Sequence, residues 1–67
     1  MSIVKVIEVI AHSEKSFDDA VKNALAEASK TVKNIKSIYV KDMNARVKDN
    51  QITTYGITAK ISFGINE

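Results

Sequence analysis

Few side chains in this 67-residue chain are equipped for chemistry, and their spacing narrows the choices further. His12 is the sole histidine, flanked by Ser13 and Glu14. A lone histidine in a polar connection reads as an ordinary surface residue, because acid–base or ligand work needs a second group held within reach. Glu8, Asp42 and Asp49 carry oxygens suited to a hard cation. They lack the spacing of a calcium loop, and acids near a hairpin more often form turns or stay solvated. Tyr39 and Tyr55 are the only tyrosines, and there is no tryptophan or cysteine. No glycine-rich phosphate loop, paired carboxylate or nucleophile–base pair is present, so the reading is non-catalytic. Ten Lys/Arg against eight Asp/Glu, spread along the chain, make a solvated surface. They are not a phosphate track, and no nucleic-acid partner is expected.

These residues must be held by four elements. Ile3 to about Ala11 has the pattern of a strand ending at a polar connection, His12-Ser13-Glu14-Lys15. This strand is apolar on both pleats: Ile3, Ile7 and Val9 fall on one, Val4, Val6 and Ile10 on the other. One pleat can face an internal core and the other needs a neighbour. Ser16 is placed to cap a helix, with Asp18 and Asp19 in its first turn, where the helix dipole favours negative charge. Phe17, Ala20, Val21, Ala24, Leu25, Ala28 and Val32 then form one stripe at steps of three and four. Its alanines allow a close approach to a sheet. Lys30 and Lys33 suit the negative end, and Asn34 is a left-handed stop.

Ile35 to about Val47 reads as a second, long strand in which the apolar positions switch pleat, from Ile38 and Val40 to Met43 and Val47, so a bulge is expected inside it. Lys48-Asp49-Asn50-Gln51 is a tight turn whose centre tolerates positive φ. Ile57, Ala59, Ile61, Phe63 and Ile65 alternate with polar or small residues in the last strand. The fold class is α+β: a β-α-β-β order, giving a three-stranded antiparallel sheet folded over one helix.

A single domain spanning 1–67 with no disulfide is marginal on its own, since a domain of this size buries only about 60% of the surface its unfolded chain exposes. Oligomerisation is the natural remedy. No run approaches the length of a membrane span and the opening residues lack a secretory signal, so a cytoplasmic protein without a membrane partner is expected.

The opening Val4-Lys5-Val6-Ile7-Glu8, the helix Ser16-Phe17-Asp18-Asp19-Ala20-Val21 continuing through Ala24, Leu25 and Ala28, Thr31-Val32, Asn34-Ile35 and the closing Ile57-Thr58-Ala59-Lys60-Ile61-Ser62-Phe63 resemble the dodecins. The specificity lies in length, element order and spacing, because the individual motifs are soft. The resemblance implies a subunit of a hollow homo-oligomer, a homododecamer, that binds or stores a small molecule. The implied cofactor is a flavin, FMN or riboflavin, held between symmetry-related subunits. It also implies the pocket positions. The stacking tryptophan of flavin-binding members falls on Ser37, their ring-edge glutamine on Gly56, and an Arg-Gly pair on Asn44-Ala45, with Arg46 just after. Tyr39 and Tyr55, the only tyrosines, are the candidates to stand in for the platform. Losing stacking worth roughly 1–3 kcal/mol per platform predicts weak flavin binding. The alternative is a structural or cation-binding assembly without a flavin, since some dodecin-like proteins that lack the tryptophan bind calcium.

Overall fold

The computed structural model describes residues 3–65. Its elements are β1 (Ile3–Ser13), α1 (Phe17–Ala28), β2 (Ile35–Lys48) and β3 (Gln51–Ile65), in the expected β-α-β-β order. The strands form one antiparallel sheet ordered β1-β3-β2, so the last strand is central and both earlier ones are edges.

The helix begins where its cap requires. Ser16 is extended, and its hydroxyl accepts from the Asp19 N–H at 3.0 Å, with Asp18 and Asp19 in the first turn. It ends at Ala28, sooner than the apolar stripe suggests. The Ser29 hydroxyl donates to the Ala26 carbonyl at 2.9 Å, an alternative to regular helix that serine readily offers. Its last turn has no basic residue; Lys30 instead pairs with Glu27 at 3.0 Å. Asn34 takes φ 62° and starts the extended path into β2.

Ala20, Ala24, Ile57 and Ala59 form the core, with Val9, Ala11, Phe17, Val21, Ile38 and Val40 packed around them. The helix therefore covers the pleat of β3 that carries its odd-numbered apolar residues. Two alanines at the contact let backbone and sheet come close, which a larger residue would prevent. β1 runs two residues further than hydropathy implies, through His12 and Ser13, which pair with Gly56 and Tyr55. A polar residue can close a strand when its hydrogen bonds are met. The Ser13 hydroxyl, buried, donates to Asp19 Oδ2 at 2.6 Å and accepts from the Lys15 N–H at 2.9 Å.

The expected irregularity in β2 is there, as register shifts at Ile35/Ser37, Val40/Asp42 and Arg46/Val47. Asp49 and Asn50, at φ 53° and 63°, make the two-residue turn, whose twist suits an antiparallel hairpin. β1 ends opposite Tyr55, so the tip of the β2–β3 hairpin extends past it as a two-stranded ribbon. The result is elongated, 52 × 19 × 13 Å.

Candidate functional site

The pleat of the sheet that turns away from α1 carries Val4, Val6, Glu8, Ile10 and His12 on β1. In register beside them lie Gly64, Ser62, Lys60, Thr58 and Gly56 on β3. β2 adds Ser37, Tyr39, Asp42 and Asn44 opposite Ser62, Lys60, Thr58 and Gly56. None of the described residues covers this pleat. Val4, Val6, Ile10 and Tyr39 are 54%, 57%, 70% and 64% exposed, a cluster of apolar side chains that a stable lone subunit would rarely leave in water. The helix side is not fully closed either: a groove of about 620 Å³ opens along the free edge of β1, lined by Ile7, Val9, Ala11, Ala24, Ala28 and Val32 among others.

Four of the five pocket positions share the helix-free pleat, in two groups. Ser37 and Tyr39 lie at one end. The Ser37 and Ser62 hydroxyls hydrogen-bond across the strands at 2.5 Å, so a compact polar pair occupies this end of the pleat. Asn44 and Gly56 face each other at the other end. Between Ser62 and Gly56 run six steps of strand, roughly 20 Å at about 3.3 Å per residue. Tyr39, opposite Lys60, is nearer to Gly56, four steps or roughly 13 Å.

Tyr55 is not brought to this pleat. It pairs with Ser13 and Ala45, and its ring meets that of Phe17 edge-on at a centroid distance of 5.0 Å on the helix side. Tyr39 is thus the only tyrosine beside the platform position.

At the other end the geometry is tight. A Cβ at position 56 would come within 2.9 Å of Asn44 Oδ1 and 3.2 Å of His12 Cδ2. Side chains from both flanking strands lean over Gly56, so a side chain there would have to displace them. Sequence reasoning passed over His12, because a strand ending in polar residues has no hydropathy signature; its pairing with Gly56 is visible only in register.

Electrostatics at this pleat are mild. Glu8 faces Lys60 across the ladder and lies 3.6 Å from Lys41, both partners about half exposed. Such a pair contributes little. Among the described residues, no three His, Asp or Glu side chains gather to hold a metal ion. A divalent cation on this pleat would need ligands from more than one copy. No helix among the described residues is long and apolar enough to cross a membrane.

The chain is thus an elongated three-stranded antiparallel sheet with one pleat covered by a single helix and the other open. The sequence matches the family model described as Dodecin over residues 3–66, and the chain belongs to the dodecin family. The fold is similar to that of dodecin from Streptomyces coelicolor, with TM-score 0.92 and 27% identity over 98% of this chain and 94% of that one. A variant of the Thermus thermophilus dodecin superposes with TM-score 0.94 at 24% identity over the whole of both chains. The calcium chelating immunodominant antigen of Mycobacterium tuberculosis, a calcium dodecin with a novel calcium-binding site, is 31% identical. It gives TM-score 0.80 over 91% of this chain and 87% of that one. No protein of curated function matches the sequence significantly.

Proposed function

We propose that this chain is a non-catalytic subunit of a closed homo-oligomer, a homododecamer, which binds or stores a small planar molecule of flavin type between its subunits in the cytoplasm. One observation carries the reading. The platform positions Ser37 and Tyr39 and the edge positions Asn44 and Gly56 share an uncovered apolar pleat, yet lie roughly 20 Å (Ser37) and 13 Å (Tyr39) apart along it. Two copies packed through these pleats bring the platform end of one to the edge end of another, and the same contact removes Val4, Val6 and Ile10 from water.

The residues present fit a flavin loosely. Tyr39 supplies one ring, the Ser37–Ser62 pair supplies none, and a small residue at 56 leaves the ring edge to its neighbours. When bound, the flavin would bring its own aromatic faces and hydrogen-bonding edge; the chain orients it and excludes water. A Ser37→Trp variant tests this. Its titration by quenching of riboflavin fluorescence should tighten at least about tenfold over the native chain, roughly 1.4 kcal/mol of restored stacking. A correctly assembled variant that still ignores riboflavin would overturn the reading. Gly56 is left unchanged in that variant, since any side chain there meets Asn44 and His12.

Glu8 and Asp42 on the same pleat, with the calcium dodecin as a relative, support a second reading, a structural or calcium-binding assembly without a flavin. Calorimetric titration with calcium separates the two: heat of binding that is lost on Glu8→Gln or Asp42→Asn favours the second.

A further inference from the structure

We draw no further inference here: the strongest candidate, the apolar groove between α1 and the free edge of β1, is an unpartnered surface for which nothing in the structure shows what covers it, and a second copy of the chain laid along it would restate the assembly already proposed.

Discussion

Phe17, the first residue of the helix, holds the ring of Tyr55 on the central strand in an edge-to-face contact, with centroids 5.0 Å apart and planes at 79°. The contact fastens the helix start to the sheet next to the Ser13–Asp19 hydrogen bond, and it commits one of two tyrosines to packing. Tyr55→Ala should lower stability by about 2 kcal/mol, read from denaturant midpoints, while Tyr55→Phe keeps the ring pair and stays within about 0.5 kcal/mol. Neither change should alter riboflavin affinity in assembled protein. A loss of affinity in Tyr55→Phe would place the hydroxyl in the ligand site.

Ala20 and Ala24 are buried against β3, whereas Ala26 faces away from it. Leucine at position 20 or 24 should force the helix off the sheet and cost about 1–3 kcal/mol; leucine at 26 should be nearly silent. Thermal melts of the three variants check the helix orientation, and equal effects would contradict it.

The buried Ser13 hydroxyl donates to Asp19 and accepts from the Lys15 N–H, so Ser13→Ala removes both bonds from a part-buried corner. A loss of about 1–3 kcal/mol is expected. Ser29→Ala provides the contrast: its hydroxyl bond to the Ala26 carbonyl is exposed, and the change should stay within about 0.5 kcal/mol. Urea titrations of the pair decide whether burial or the mere presence of a bond sets the cost.

Val6 and Ile7 are neighbours in β1 on opposite pleats. Ile7→Asp puts a charge beside the buried Ile61 and should prevent the chain from folding. Val6→Asp touches only the open pleat. It should leave a folded chain by circular dichroism while native mass spectrometry shows the oligomer dispersed or depleted. A Val6→Asp protein with unchanged mass and melting point would show that the open pleat is not an assembly surface.

Local patterns in the sequence carry much of the fold. The Ser16 cap, the phase of the helix stripe, the left-handed Asn34 and the Asp49-Asn50 turn depend on residues a few positions apart, where side-chain and backbone preferences act directly. The two-faced apolar pattern of β1 likewise announced that one pleat would be left uncovered by a single helix. Tertiary structure decided what depends on register. Three irregularities in β2, of which the sequence indicated one without its position, fix which residue stands opposite which. A shift of one position would exchange the pleats of Asn44 and Ala45. The pairing of β1 with β3 carried His12 out of a supposed loop and set it beside Gly56, and the helix drew Tyr55 away from the open pleat toward Phe17. Hydropathy along a chain records which side chains avoid water; it does not record which distant strand supplies the hydrogen bonds, and the candidate site is built from that pairing.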